Sequence, residues 1–558
     1  MDNMKYLQLK KSNCKNCYKC IRNCPVKSIK FNNDQANIIQ DECILCGMCF
    51  VSCPQNAKEI RNDVSLVKTI LDVGKPVYAS VAPSFVSEYG LKSFAPMREL
   101  LKKLGFADAE ETAVGAEIVT NEYLKLLSEK KQEIIISSCC HSINTLVQKY
   151  YPEILPFMAN VQSPMLAHCQ MLKDAHKGCF TVFIGPCISK KAEAEIYGIT
   201  DAVLTYEEFD TWLATENIGF DESDKVFNDG KLSQFYPVTG GILRSMPNKP
   251  ADYIYLSVDG VENCKEAFDE IKQGNLKHCF IEMSACKGSC VNGPGVSNHH
   301  KAVLQCSLNI NRFAGDGKYD VSSSLDFEKS IDFIGIKNQM PGEESIRHIL
   351  AKIGKTKPED ELNCGSCGYN TCREKAIAVY LGKADLTMCM PYLKAKAESF
   401  SDNVINNTPN GIFIMDEDLR IQQINNAACT FFGVDTPNEL IDTPIVDLLN
   451  PTDYLAAIAS GIKLQKETKK HLDKFNLDVA ETIVYDSEYH LLFSIMRDIT
   501  VSETLNRERN ELRGKTVEIT DKVIEKQMRI VQEIASLLGE TTAETKIALT
   551  QLKETLEN

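Results

Sequence analysis

The run EIIISSCCHSINTLVQKYY, residues 133–151, decides the fold class. Its apolar start, EIIISS (133–138), has strand length and stops abruptly at Cys139-Cys140. A helix-like segment, INTLVQKYY, follows. Three more strand-length runs end in chemically loaded residues. VYASVA (77–82) stops at Pro83-Ser84, TVFIG (181–185) at Pro186-Cys187, and CFIEM (279–283) leads into Cys286-x-x-x-Cys290. Helix-like segments such as LKSFAPMRELLKKLG (91–105) lie between the first three. Strands alternating with helices predict an α/β domain with a largely parallel sheet. In such sheets, sites form beyond the carboxyl ends of the strands, so four loaded strand ends imply one shared site. Cys286 and Cys290 are four apart and would share a face on a helical turn. Cys139 and Cys140 are neighbours, and in extended chain they point opposite ways. Cys140, Cys187, Cys286 and Cys290 then supply four thiolates for one cubane, with Cys139 left as a free thiol beside it. Buried cysteines are also common in ordinary cores, so spacing alone leaves both readings open.

Towards the N-terminus the signal sharpens. The chain has 23 cysteines in 558 residues. In a cytosolic protein of this size disulfides are the unfavoured use, which leaves metal sites or inert core thiols. Cys14-x-x-Cys17-x-x-Cys20-x-x-x-Cys24-Pro25 is followed by Cys43-x-x-Cys46-x-x-Cys49-x-x-x-Cys53-Pro54. This is the bacterial ferredoxin run, present twice, in which the fourth cysteine of each run serves the other cluster. One [4Fe–4S] cluster is therefore expected on Cys14, Cys17, Cys20 and Cys53, and the second on Cys43, Cys46, Cys49 and Cys24. A zinc module would show paired CxxC knuckles instead.

Towards the C-terminus, Cys364-x-x-Cys367-x-x-x-x-Cys372 is followed by Cys389 after a helical stretch, REKAIAVYLGKADLTM (373–388). All-cysteine ligation beside other clusters favours a further [4Fe–4S] cluster over zinc. GIFIMDEDLRIQQINNAACTFFGV (411–434) reads as strand, turn, strand, helix, with Asp416-Glu417-Asp418 at the turn. HLDKFNLDVAETIVYDSEYHLLFSIMRDIT (471–500) adds short strands, and the whole resembles a PAS fold ending in Asp498-Ile499-Thr500. Its ligand is left unknown. Cys429, His471 and His490 could bind one, but single residues of this kind are more often core or surface groups. From 501 the chain is rich in Glu, Lys, Leu and Thr without proline, and Leu505, Leu512 and Ile519 repeat at seven residues. That spacing predicts a coiled-coil seam and a homodimer through the PAS domain and this helix, with Gly514 and Gly539 as weak points. The competing reading is a solvated helix packed on its own PAS domain. No kinase, cyclase or phosphatase core follows, so an output kinase or phosphatase is expected on a separate chain.

The fold class is thus multidomain α/β and α+β. The expected domains are a dicluster ferredoxin domain (1–63), the cluster-bearing α/β domain (70–345), a small four-cysteine iron–sulfur module (355–396), a PAS domain (397–500) and a signalling helix (501–558). Hydrophobic residues make up 44% and charged residues 25%, which suits globular cores. A net charge of −14 argues against nucleic acid or an anionic membrane as partner. No apolar run reaches the roughly 18 residues of a membrane span. The opening MDNMKYLQLKK has no apolar stretch of the secretory kind, so a cytoplasmic location is expected.

Ser137-Ser138-Cys139-Cys140, Gly185-Pro186-Cys187-x-x-Lys190-Lys191-x-Glu193 and Glu282-x-x-Ala285-Cys286-x-Gly288-x-Cys290-x-x-Gly293 resemble, in order, the three signature motifs of FeFe hydrogenases. Val238-Thr239-Gly240-Gly241 resembles a further family segment. The likeness covers about residues 1 to 345. It implies an H-cluster: a [4Fe–4S] cube on the four named cysteines, bridged by Cys290 to a diiron unit bearing CO, cyanide and a dithiolate amine. By the same resemblance Lys190 holds one cyanide, Pro83 and Ser84 contact the other, and Cys139 relays protons to the amine. The implied activity is reversible H2 splitting, H2 plus oxidised acceptor giving protons plus reduced acceptor. A ferredoxin-like redox donor and maturation factors are the implied partners.

Departures from the family pattern bear on the role. Motif one normally continues Cys-Cys-Pro-x-Trp, whereas here it reads Cys140-His141-Ser142-Ile143. Gly185 and Ser284 each replace a family methionine beside the diiron unit, which should change room and polarity there and hence redox potential. Tyr150-Tyr151-Pro152 matches a family segment. Alignment of its flanks without gaps puts the family's proton-path serine on Ala159 and one path carboxylate on Val119, while Glu122 keeps the other. A water chain could replace the missing side chains. With the path otherwise interrupted, slow turnover is expected, as in the sensory hydrogenases. The leading expectation is a sensor of H2 or redox state, which signals through the extra cluster and the PAS domain. The alternatives are an ordinary ferredoxin-linked hydrogenase and a hydrogenase-like electron-transfer protein without the diiron unit.

Overall fold

The computed structural model describes residues 6–10, 13–32, 35–220, 230–297, 302–321, 325–336, 340–461 and 467–556. The outermost residues of the first and last expected domains, 1–5 and 557–558, lie outside these. The chain divides into two compact units, Met1–Leu393 and Lys394–Asn558.

In the first unit, the four runs that end in loaded residues are all strands: Val77–Val81, Ile134–Ile136, Phe180–Gly185 and Cys279–Ser284. They do not share one sheet. Asp108–Glu111, Val77–Val81, Phe180–Gly185 and Ala202–Thr205 form a parallel four-stranded sheet in that spatial order. Ile254–Asp259, Cys279–Ser284 and Ile134–Ile136 form a second, parallel three-stranded sheet. Phe180–Gly185 is buried at every position and Ile134–Ile136 likewise, as expected of parallel strands covered on both faces. Each sheet has its own apolar core. One gathers Val81, Val182 and Leu204 with Phe85 and Phe209, and the other gathers Ile136, Ile281 and Met283 with Leu146 and Phe268.

The helices arrive where the sequence predicts them. LKSFAPMRELLKKLG contains Ala95–Lys103, and His141–Tyr150 follows the cysteine pair directly. Cys286 and Cys290, by contrast, are not on one helical face. Gly288 has φ +80° and Ser289 φ +59°, which break the segment before a short 3-10 turn at Ser289–Asn292. The left-handed backbone is readily adopted by glycine, and a side chain at Gly288 would also strike Val303. The stretch 373–388 is broken as well. Its helix spans Cys372–Tyr380 and ends before Gly382, with a short turn at Leu386–Met388 bringing in Cys389.

The N-terminal cysteine runs sit on a small two-fold arrangement of paired antiparallel strands, Leu7–Leu9 with Lys58–Ile60 and Ile29–Asn32 with Gln35–Ile38. The second unit is an antiparallel sheet in the order Ile421–Ile424, Gly411–Asp416, Leu491–Asp498, Leu477–Asp486, Thr468–Leu472. Helices Asn426–Phe432 and Thr452–Ser460 accompany it. Cys429 is buried in its core, while His471 and His490 pair with Asp478 and Glu417 at separate places. A helix of 57 residues, Thr500–Leu556, ends the chain and runs without interruption through Gly514 and Gly539.

Candidate metal centre

Strand ends from both sheets meet at a cavity of about 120 Å³. Its lining includes Pro83 and Ser84 after the strand Val77–Val81, Cys139 and Cys140 after Ile134–Ile136, Cys187 after Phe180–Gly185, and Ser284 and Cys290 at the end of Cys279–Ser284 and beyond it. Lys190 and Glu282 line it too, with apolar surface from Met165, Phe183 and Met283. Cys286 completes the thiol set. Burial pushes its thiol well up, and the neighbouring Cys187, Cys140 and Cys290 push it further. Thiols this crowded and this dry give up their protons only to a cation, so they form a donor set for metal. Among the described residues no three His, Cys, Asp or Glu side chains close to the spacing of a single bound ion. Thiols standing around open space suit a polynuclear iron–sulfur cluster better than a lone zinc.

The cysteines of the N-terminal runs are crowded in the same way. Burial pushes the Cys20 thiol up to about 11, and its thiol neighbours are Cys14, Cys17 and Cys53. Cys49 is raised by burial and then by Cys43, Cys24 and Cys46. Cys364, Cys367, Cys372 and Cys389 line one small cavity together with Tyr369 and Lys375.

Around the central cavity the polar groups are held firmly. The Lys190 ammonium donates to the Cys139 carbonyl at 3.0 Å and forms an ion pair with Glu193. These two acceptors use two of its three protons, and Lys190 also lines the cavity. Glu193 is fully buried. Burial alone would raise its carboxyl, but Lys190 and Lys329 together hold it well below the usual carboxylate range. Lys329 Nζ reaches Glu193 Oε1 at 3.1 Å and the Ser138 carbonyl at 3.2 Å, and Ser163 Oγ donates to Glu193 Oε2 at 2.9 Å. Two cations against one carboxylate leave a positive balance beside the cavity, which suits an anionic ligand. Ser84 Oγ is 2.8 Å from Tyr206 Oη, which also donates to the Ala82 carbonyl.

Cys139 Sγ lies 3.1 Å from Tyr123 Oη, and burial pushes its thiol up to about 12. The protonated thiol can donate to and accept from its neighbours. Glu122 stands apart from the cavity, half-exposed and 3.6 Å from Lys125 Nζ. On the helix Ala113–Glu129 it is Val119 and Tyr123 that face inward. Val119 and Ala159 are wholly buried in one apolar cluster, which Cys139 and Tyr123 also join.

The replaced methionine positions behave differently from each other. Ser284 lines the cavity and bonds Ser289 Oγ at 2.9 Å. Gly185 does not line it. A side chain at Gly185 would meet the Phe183 ring at 2.7 Å and Ala82 at 2.9 Å, so the expected extra room is taken up by Phe183. His141 lines the cavity as well; burial holds its imidazole down to about 4, so it is neutral. Sequence alone does not single out Tyr123, Lys329, Tyr206 or Phe183, because none lies in a cysteine motif and each arrives through tertiary packing.

Fold and site define an iron–sulfur redox protein with an appended PAS domain, and comparison with known proteins agrees. Residues 75–251 and 244–294 match the family model of the iron only hydrogenase large subunit, C-terminal domain. Residues 6–61 match a 4Fe-4S dicluster domain, 360–391 an Fe-S cluster family and 400–499 the PAS fold. The chain is 26% identical over 301 residues to the periplasmic [Fe] hydrogenase large subunit of Nitratidesulfovibrio vulgaris, covering 43% of this chain and 71% of that one. It is 25% identical over 318 residues to iron hydrogenase 1 of Clostridium pasteurianum, covering 47% and 55%. It is also 23% identical over 339 residues to the nuclear prelamin A recognition factor of Mus musculus, covering 47% and 73%. The chain is a hydrogenase-like iron–sulfur protein with a PAS domain. No helix among the described residues is long and apolar enough to cross a membrane.

Proposed function

We propose that the chain is a sensory FeFe-type hydrogenase of low turnover, which reads H2 or redox state at an H-cluster. One observation carries this reading: Cys139, Cys140, Cys187, Cys290 and Lys190, drawn from three distant segments, face one cavity. The cavity fits the group that the motifs imply, with crowded thiols for a cube, a lysine for an anionic ligand and a dry wall for small diatomic ligands. Cys140, Cys187, Cys286 and Cys290 would hold the cube, and Cys290, which lines the cavity, would also serve the diiron unit. When bound, that unit supplies an electron-poor metal and a basic amine that together split H2 heterolytically.

The chain's own residues then do the following. Lys190, oriented by Glu193, holds the anionic ligand that faces it. Pro83 and Ser84 contribute to the wall, and Phe183 and Met283 supply apolar lining that excludes water. Cys139 Sγ takes the proton and passes it to Tyr123 Oη at 3.1 Å. Beyond that point Val119 and Ala159 offer apolar packing where the family has titratable groups, which supports a slow proton step. The cysteine sets would hold the cubes that carry electrons to a ferredoxin-like partner. Maturation factors would load the diiron unit, and a separate kinase or phosphatase would take the signal from a PAS-and-helix homodimer in the cytoplasm.

The test is infrared spectroscopy after maturation, joined to turnover. CO and cyanide bands with H2 turnover far below that of a ferredoxin-linked hydrogenase are expected. Bands with high turnover would make the chain an ordinary catalytic hydrogenase. Absent bands in fully matured protein would leave an electron-transfer protein without the diiron unit.

A further inference from the structure

The four-cysteine module at 364–389 follows the hydrogenase-like domain in sequence and precedes the PAS domain, an order that invites a relay outward. Its packing inside the first unit points elsewhere. The turn carrying Cys367 is seated on the ferredoxin segment Ile21–Cys24. Gly368 has φ +93°, and a side chain there would meet Ile21 Cγ2 at 3.0 Å and the Arg22 backbone nitrogen at 3.2 Å. Lys27 Nζ donates to the carbonyls of Ile21 at 3.2 Å, Arg22 at 3.2 Å and Gly368 at 2.9 Å. Arg22 Nη2 donates to the Ser366 carbonyl at 3.2 Å, and the Phe31 amide donates to the Lys383 carbonyl at 2.8 Å. A buried ion pair, Lys383 with Glu42 at 2.5 Å, closes the far side.

Between the two sets of thiols lies apolar packing. Tyr369, Ala378, Ala384 and Met388 share one buried cluster with Ile21, Cys24, Cys43 and Cys49, and Cys367 packs against it. Tyr369 is buried in the cluster that holds Cys24, on the side where Cys367 packs. On its other side, the same ferredoxin cube reaches the central site. Gly47, next to Cys46, lies against Pro294 and against Ile188, the neighbour of Cys187.

We infer that the cube held by Cys24, Cys43, Cys46 and Cys49 is a branch point, which exchanges single electrons with the 364–389 cluster across the Cys367–Tyr369 turn. The module is then a side terminal of the ferredoxin wire. In each exchange the ferredoxin cube is oxidised by one electron, from the 1+ to the 2+ core, and the module cluster is reduced from 2+ to 1+. No proton or ligand moves. The inference rests on iron–sulfur occupancy of these sites, as the proposed function does, and not on the diiron unit.

The test uses the full chain reconstituted anaerobically with iron and sulfide, without the diiron unit, and reduced by dithionite. Electron paramagnetic resonance of the frozen protein should show spin–spin broadening between the module cluster and a ferredoxin cube. The double variant Cys367→Ala/Cys389→Ala should lose that broadening. Lys27→Ala, which keeps all ligands, should weaken it at unchanged iron content, and this variant decides the matter should the cysteine variant fail to fold. Additive spectra in the unaltered protein, or broadening that survives both variants, would overturn the inference. Missing infrared bands after maturation would sink the hydrogenase reading and leave this result standing.

Discussion

At the scale of single residues, the most consequential one outside any cysteine motif is Lys329. It is wholly buried, it occupies one oxygen of Glu193 while Lys190 and Ser163 occupy the other, and it lies beyond the stretch that matches the hydrogenase family model. Removing one partner of a buried ion network costs about 3 kcal/mol. Lys329→Met should therefore unfold at a clearly lower temperature than the unaltered protein. If the proposed diiron unit is bound, its cyanide infrared bands should shift as well, because Glu193, which orients Lys190, loses a partner. Glu111 gives a pH-dependent expectation. Burial pushes its carboxyl up to about 7, against hydrogen bonds from Gln234 and Tyr319. Free glutamic acid ionises near about 4.3. Between those values the folded chain holds a proton that the unfolded chain has lost, so stability falls as pH rises from about 4.3 to about 7 and is flat above. The gap corresponds to roughly 4 kcal/mol. Glu111→Gln should flatten this part of the profile, measured as the thermal midpoint from about pH 5.5 to 8, and an unchanged slope would remove Glu111 as its source.

At the scale of elements, the strand ends were legible because each apolar run stops at a residue with metal or ligand chemistry. The division into two sheets was not. Ile134–Ile136 pairs with Cys279–Ser284, far along the chain, and nothing in either run names its partner. The same holds for the site. The cysteine set could be read from spacing and resemblance, but the Tyr123–Cys139 contact depends on which face of Ala113–Glu129 turns inward. The expected shared face of Cys286 and Cys290 failed because Gly288 permits a left-handed break that periodicity alone does not reveal. The close packing of Ala113–Glu129 on Pro164–Ala175 also turns on one residue. A side chain at Gly115 would fall on the Pro164 carbonyl and the His168 backbone. Backbone cannot yield as a flexible side chain can, so Gly115→Ala should cost about 1–3 kcal/mol despite its better helix propensity. Thermal unfolding measures this, and a neutral or stabilised variant would mean the two helices can part without penalty.

At the scale of the whole chain, the helix Thr500–Leu556 poses a question of partnership. At 1.5 Å per residue, its 57 residues extend about 85 Å. Most helical stability in proteins comes from packing an apolar face, and this helix presents its apolar side chains to solvent. Leu505, Leu512 and Ile519 are 60%, 65% and 63% exposed, and Val523, Ile530 and Leu537 continue the seven-residue spacing with a step of four between Ile519 and Val523. That step is the one that separates the two seam positions of a heptad, so both strings lie on a single stripe. Thr516, Lys526 and Glu533 interrupt it, which favours a modest, reversible association over a permanent one. Near its start, Arg507 pairs with Asp478 at 3.1 Å, which ties the first turns to the PAS sheet and would give two copies a common register. A parallel pair of helices is the arrangement that buries this stripe. Leu512→Asp/Ile519→Asp would place like charges across such a seam and should convert a dimer into a monomer in sedimentation, with iron content unchanged. A chain that sediments as a monomer before the substitution would mean that the stripe serves some other surface.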